Sequence, residues 1–361
     1  MQSALLAPSL AAAYAPYFRI GAAVSRRNLS DPDAAMLMAR HFSSLTAEND
    51  MKPERLLHRE KTLMQGSDTM PALDFSPAIP FLDFAREHGI AMRFHTLVWH
   101  NQTPRWFFAR DWSDREDAPL LAPDQMLQRL TNYIAAVMHY VNTNYPGLVY
   151  AWDVVNEAID PGQGHCDAFR TKSLWYQIFG PDYLTEAFRA ARACQAEGQQ
   201  LFYNDYDTAR PEKKKAVLRL LQRLQAEHLV DGMGMQGHLQ MHALDIPSCA
   251  QAAQAYASLG LHVQITELDL HCTTADPDAL IRQADAYREL FRTCLQLRRE
   301  GCPLDAITFW CLTDGDTWLR AFRKEGSYPL LFAEDKTCKP AFYAVLHAME
   351  DTAAQSQYPM A

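Results

Sequence analysis

Two glutamates close apolar runs, where a carboxylate is costly to keep. Glu157 follows Trp152-Asp153-Val154-Val155-Asn156, and Glu267 follows Val263-Gln264-Ile265-Thr266. A carboxylate ending a buried strand loses its hydration unless it is paired or used, so the two form a candidate catalytic dyad. Two unrelated ion pairs with Lys or Arg are the other reading. Glycoside hydrolysis is chemistry that a dyad can perform, one carboxyl protonating the leaving oxygen and the other attacking the anomeric carbon or activating water. A sugar ring has an apolar face bordered by hydroxyls, so its site mixes aromatic platforms with hydrogen-bonding groups. Trp99, Trp310 and Trp318, with Asn49, Gln102, Asn156 and Gln236, supply that mixture beside other strand ends.

The elements that must position these groups follow from periodicity. Short apolar runs alternate with longer amphipathic stretches, with no Ser/Gly-rich linker between them, so residues 1–361 read as one domain with an N-terminal extension (1–16) and a C-terminal tail (351–361). Strands are expected at Phe18–Val24, Phe42–Ala47, Ile90–Val98, Val149–Val155, Gln200–Tyr203, Gly232–Gly237, His262–Leu268 and Ala306–Leu312. Helices are expected at Pro32–Arg40, Pro77–His88, Asp124–Asn142, Tyr183–Glu197, Pro211–His228, Ser248–Leu259, Pro277–Glu300 and Pro340–Met349, several opened by Pro or closed by Gly. A polar, Pro-containing crossover joins the second strand to its helix. Eight such units imply a parallel sheet closed into a (β/α)8 TIM barrel, whose active sites lie where the C-terminal strand ends converge. Polar and aromatic groups collect at those ends: Glu48-Asn49, His95 to His100, Asn156-Glu157, Asn204 to Tyr206, Gln236, His238, Glu267, Asp269 and Trp310.

Composition narrows the function. Apolar residues at 48% and charged ones at 21% match an average globular chain, so a large core can form. A formal net charge of -9 opposes nucleic acid as a partner, and Lys213-Lys214-Lys215 reads as a solvated helix face. No apolar run is long enough to span a membrane. The eight cysteines (Cys166, Cys194, Cys249, Cys272, Cys294, Cys302, Cys311, Cys338) show neither disulfide-scaffold nor zinc spacing and read as reduced thiols. Residues 1–15 lack the positive start and unbroken apolar core of a secretory signal, so a cytoplasmic location is expected. No metal or cofactor is called for: His95, His100, His238 and His242 lack the spacing of a ligand set.

With these residues in view, the chain resembles the xylanases of glycoside hydrolase family 10. The similar segments run in order: Gly21 to Ser25, Leu45 to Lys52, His95 to Gln102, Trp152 to Ala158, Tyr203 to Tyr206, Met235 to His238, Thr266 to Asp269 and Phe309 to Trp318. The resemblance implies a retaining endo-1,4-β-xylanase acting on xylan or xylo-oligosaccharides, with Glu157 as acid/base and Glu267 as nucleophile, the carboxyls about 5 to 5.5 Å apart. It further implies that His238 and Asp269 keep Glu267 ionised and oriented, that Asn156 holds a sugar 2-hydroxyl, and that Glu48, Asn49, Lys52, His95, Trp99 and Gln102 line the glycone side. Gln102 and Trp318 would exclude a hydroxymethyl group, and Tyr206 would contact the leaving-group side.

Three departures from the family pattern stand out. Asp207 occupies a position where Asn is common, Cys311 follows Trp310 where Gly is usual, and the loop Leu270 to Pro277 is short and without aromatics. Asp207 bears on the aglycone preference, while the other two, with the missing secretory signal, favour an intracellular enzyme trimming imported xylo-oligosaccharides. The rivals are another β-1,4-glycanase on the same barrel (a cellulase or mannanase), a metal-dependent barrel hydrolase, and a sugar-binding barrel without catalysis. Oligomeric state is not legible.

Overall fold

A computed structural model describes residues 3–164 and 167–356, with residues 350–356 as backbone only. Its strands are β1 (Arg19–Val24), β2 (Ser44–Ala47), β3 (Ala91–Trp99), β4 (Val149–Asn156), β5 (Gln200–Asp205), β6 (Gly232–Met235), β7 (His238–Gln240), β8 (His262–His271) and β9 (Leu304–Phe309). The chain divides into two compact units. One comprises Met1–Leu45, Tyr206–Ala209 and Met235–Ala361, and the other Thr46–Asp205 and Arg210–Gly234.

In the second unit, β3, β4 and β5 lie parallel, with Phe94 opposite Trp152 and Asn156 opposite Asn204. The run Trp152 to Asn156 is buried throughout, as a strand covered on both faces must be. Its pairing is irregular at two places, between His95 and Val98 and between Asp153 and Val155. Such shifts re-aim the side chains that follow. The helices Pro123–Asn144 and Asp182–Cys194 pack on one another, each presenting a buried apolar stripe.

In the first unit, β1 pairs with β9, β9 with β8, and β8 with β7, all parallel. Helix Pro32–His41 begins at Asp31, whose carboxylate accepts from the amides of Asp33 and Ala34. The expected N-terminal extension is packed into this unit. Ser9 caps helix Leu10–Tyr14, the Arg40 guanidinium donates to the Ala7 carbonyl at 2.6 and 2.8 Å, and the Tyr14 hydroxyl donates to that of Val345.

Each expected strand and helix has a counterpart within a few residues, and the differences have physical causes. The crossover after β2 holds two short helices, Pro53–Leu56 and Arg59–Gln65. The expected sixth strand breaks after Met235, because Gly237 sits at φ +83° and a new short strand, β7, starts at His238. The seventh expected strand runs on to His271, so the loop said to begin at Leu270 begins as strand paired with β7. Lys213 departs from the solvated-face reading: it is buried and paired with Asp205. The closing helix continues to Ser356, while the tail beyond it and Cys166 lie outside the described residues. The seven other cysteines are free thiols.

One buried cation organises the segment after β3. Arg129, fully buried, donates to the carbonyls of Asp68, Phe107 and Ala109 and stacks on Trp112 at 3.3 Å. Replacing it with Met keeps the volume but removes the donor to three carbonyls, two of them, Phe107 and Ala109, in buried bonds. Arg129→Met is expected to cost roughly 2–4 kcal/mol of unfolding free energy in a urea titration. A loss within experimental error would show that the contacts are dispensable.

Candidate active site

Glu157 directly follows β4 and adopts φ +57°, a left-handed conformation that a residue with a Cβ holds only when its surroundings impose it. The surroundings do so on both sides. The Glu157 amide donates to the Asn204 carbonyl at 2.9 Å, and the Glu157 carbonyl accepts from the Arg170 guanidinium at 3.0 Å. Its carboxylate accepts from Trp99 Nε1 at 3.0 Å and from Asn156 Nδ2 at 3.3 Å. Asn156 is itself held by Asn204, which donates to its side-chain oxygen at 3.0 Å.

Other expected residues join the same cluster. Lys52 Nζ donates to Asn49 Oδ1 and to Gln102 Oε1, both at 2.9 Å, and lies 4.8 Å from the Trp99 ring. Gln102 in turn donates to Glu54 at 3.0 Å. A chain of contacts therefore runs from Gln102 through Lys52 and Trp99 to Glu157. His95 is buried, with Nδ1 3.0 Å from Asp153, which also receives the Arg93 guanidinium. Burial opposes ionisation of Asp153, but Arg93 and then His95 outweigh it and hold the carboxyl below the usual range. Glu48 follows β2 and is half-buried.

Sequence reasoning missed the support behind Glu157. Tyr203 Oη accepts from the amides of Ala158 and Ile159 at 3.0 and 3.1 Å and donates to the carboxylate of Asp205. Asp205, fully buried, pairs with Lys213 Nζ at 2.6 Å. Burial pushes the Asp205 carboxyl up to about 6 against the pull of Lys213 and Tyr203, with Glu157 adding repulsion. Asp205 belongs to the Tyr203 to Tyr206 segment, but nothing in its sequence position marks it as buried.

In the other unit, Glu267 lies inside β8, at an irregularity of its pairing with β9 between Ile265 and Leu268. Its amide donates to the carbonyl of the buried Gln236 at 2.7 Å. His238 stands between two carboxylates, with Nε2 3.1 Å from Glu267 and Nδ1 2.8 Å from Asp269. Trp318 Nε1 donates to the same Asp269 oxygen at 2.9 Å and the Trp318 ring meets His238 edge-on at 5.0 Å; Trp310 does so at 6.4 Å. Burial alone would lower the His238 pKa, but Asp269 and Glu267 outweigh it and raise it to about 10. The shift favours the imidazolium form, in which both nitrogens donate. Gly237 makes the placement possible, because a Cβ there would lie 2.9 Å from Ile265 Cγ2.

Tyr206, in this unit, directly follows β5 and is half-buried. Asp207 has φ +53°, a conformation that Asn and Asp tolerate best, so it meets the same backbone demand as the Asn common there. Cys311 has φ +100°, in a region that glycine prefers.

The model of the glycosyl hydrolase family 10 domain matches residues 9–348. The chain belongs to this family. The barrel expected from the strand pattern is the fold of family 10, and it extends to structural likeness across the chain. Endo-1,4-beta-xylanase B of Butyrivibrio fibrisolvens is 46% identical over 344 residues, which cover 94% of this chain and 53% of that protein. This chain therefore spans about half the length of that relative. A Clostridium thermocellum endo-1,4-beta-D-xylanase, solved as carbohydrate-binding and family 10 modules with xylohexaose, is 30% identical with a TM-score of 0.86, covering 96% of this chain and 68% of that one. An intracellular xylanase from Thermoanaerobacterium saccharolyticum is 34% identical with a TM-score of 0.81, covering 94% and 98%.

The charge on His238 has a thermodynamic signature. In the unfolded chain it titrates near the ordinary value of 6.5, and in the fold near 10. Its stabilisation is whole below pH 6.5 and is lost as pH rises toward 10, because only the folded state keeps the proton. Urea midpoints between pH 7 and 10 are expected to fall more steeply for the native protein than for His238→Asn. Parallel slopes would mean that His238 is neutral.

Proposed function

We propose that the chain is a retaining endo-1,4-β-xylanase that cleaves xylan or xylo-oligosaccharides, residues 1–361 acting as one catalytic domain. Family membership and the xylanase names of its relatives support this reading. The observation that carries it is the His238 ring held between Glu267 and Asp269, whose two carboxyls raise its pKa. A fixed positive charge on Glu267 favours its ionised, attacking form and orients one carboxylate oxygen through Nε2.

In the proposed cycle, Glu267 attacks the anomeric carbon while Glu157 donates its proton to the departing glycosidic oxygen. A glycosyl ester on Glu267 results. Glu157, now a carboxylate, removes a proton from water, which attacks the same carbon and releases the sugar with its original anomeric configuration. Asn156 contacts the 2-hydroxyl, where a hydrogen bond strengthens as positive charge grows on the ring. Lys52, Asn49, Gln102, Glu48, His95 and Trp99 bind the glycone, and Tyr206 the aglycone. Gln236, Trp310 and Trp318 complete the lining. Gln102 and Trp318 exclude substrates with a hydroxymethyl group, which makes xylan preferred over cellulose or mannan. A cytoplasmic site of action is part of the proposal, supported by the structural relative described as intracellular.

Leaving-group dependence tests the two roles. Glu157→Gln is expected to lose about 10²–10⁴-fold on xylan while forming the glycosyl-enzyme normally from an activated aryl xyloside. Glu267→Gln is expected to lose both activities. Equal losses in both variants on both substrates would contradict the assignment, and faster cleavage of cellulose or mannan than of xylan would replace the substrate.

A further inference from the structure

Asp205 and Lys213 form an ion pair that the fold has little reason to keep. Both side chains are buried, at 0% and 3% exposure, and desolvating two charges costs about as much as their attraction returns. Lys213 also lies in the first turn of helix Pro211–Ala226, where the amide dipoles disfavour a cation. Buried ion pairs replaced by apolar pairs of similar volume often lose no stability.

The pair is connected to Glu157 by a short relay. Lys213 Nζ fixes Asp205, and Asp205 accepts the proton of Tyr203 Oη. With its hydrogen thus committed, the Tyr203 oxygen turns its lone pairs to the amides of Ala158 and Ile159, the two peptides that follow Glu157. The peptide before them is held as well, since the Glu157 amide donates to the Asn204 carbonyl, and the Glu157 carbonyl, in the same peptide as the Ala158 amide, accepts from Arg170. Residues 203–205 of β5 thus grip the backbone on both sides of a residue whose φ is +57°.

Resting on the acid/base role given to Glu157 above, we propose that Asp205 is a positioning residue, set by Lys213, which acts through Tyr203 on the backbone after Glu157 and aims the proton-donating carboxyl. Asp205 touches neither substrate nor reacting atoms in this scheme. Its effect is felt only where proton donation limits the rate. A xylan glycoside has a poor leaving group and needs the donated proton; a dinitrophenyl leaving group does not.

The test is kcat/KM for a series of aryl xylobiosides of rising leaving-group pKa, measured for native protein, Tyr203→Phe, Asp205→Asn and Glu157→Gln. Tyr203→Phe removes the acceptor for both amides and Asp205→Asn weakens its orientation. Both are expected to lose at least about tenfold more on the poorest leaving group than on the dinitrophenyl one, a smaller version of the Glu157→Gln pattern. A uniform loss across the series, or none, in the folded variants would overturn the proposal. Thermal melts identify which variants are folded; if Asp205→Asn is not, Tyr203→Phe decides alone. Should Glu157→Gln itself lose uniformly, the acid/base reading fails; should only the other two, the relay fails.

Discussion

The attraction between one protonated imidazole and two carboxylates is the constraint on which the candidate chemistry depends. A buried carboxylate without a counter-charge takes up a proton and ceases to be a nucleophile. His238, bonded to Glu267 through one nitrogen and to Asp269 through the other, supplies the counter-charge and fixes the ring at the same time. Burial works against the imidazolium, and Asp269 and Glu267 together outweigh it. Trp318 adds a neutral donor to Asp269, so this charge too is held by more than one group. The backbone serves the arrangement: Gly237 takes a conformation and a closeness that a side chain would forbid, and it turns the chain so that His238 opens β7 beside Asp269.

Glu157 is handled by a different principle. Its carboxylate accepts from two neutral donors, Trp99 Nε1 and Asn156 Nδ2. What is invested there is backbone strain, a left-handed conformation fixed by contacts before, at and after the residue. The contrast suits a division of labour. A nucleophile needs a stable negative charge, whereas a group that gives and then takes a proton needs neighbours that tolerate both forms and a frame that keeps it aimed.

Much of this was legible in the sequence because it is local. The apolar runs ending in polar groups marked the strands, Pro and Gly marked helix ends, and the residues beside those ends, Trp99, Asn156, His238 and Asp269, were found without any knowledge of distance. What was not legible depends on burial and on long-range pairing. Lys213 sits in a run of three lysines, and only the packing of its helix shows that it is buried with Asp205 while Lys215 is exposed. Arg129 reads as one polar position of an amphipathic helix, although its partners lie up to 61 positions away in the loops. The break between β6 and β7 was hidden because Gly237 fits a strand pattern until its φ is known. Asp207 and Cys311 looked alike as departures from the family pattern, and only backbone angles separate them: one keeps a residue suited to φ > 0, the other places a β-carbon where glycine is preferred.

The most direct test of the account is to trap the intermediate. A 2-fluoro-xylobioside with an activated leaving group slows the second step more than the first, so a covalent adduct accumulates. Mass spectrometry of the digested protein is expected to find one glycosyl adduct, on the peptide containing Glu267, with Glu267 as the modified residue. An adduct on Glu157 or on any other residue, or steady turnover without an adduct and with inverted product, would contradict it.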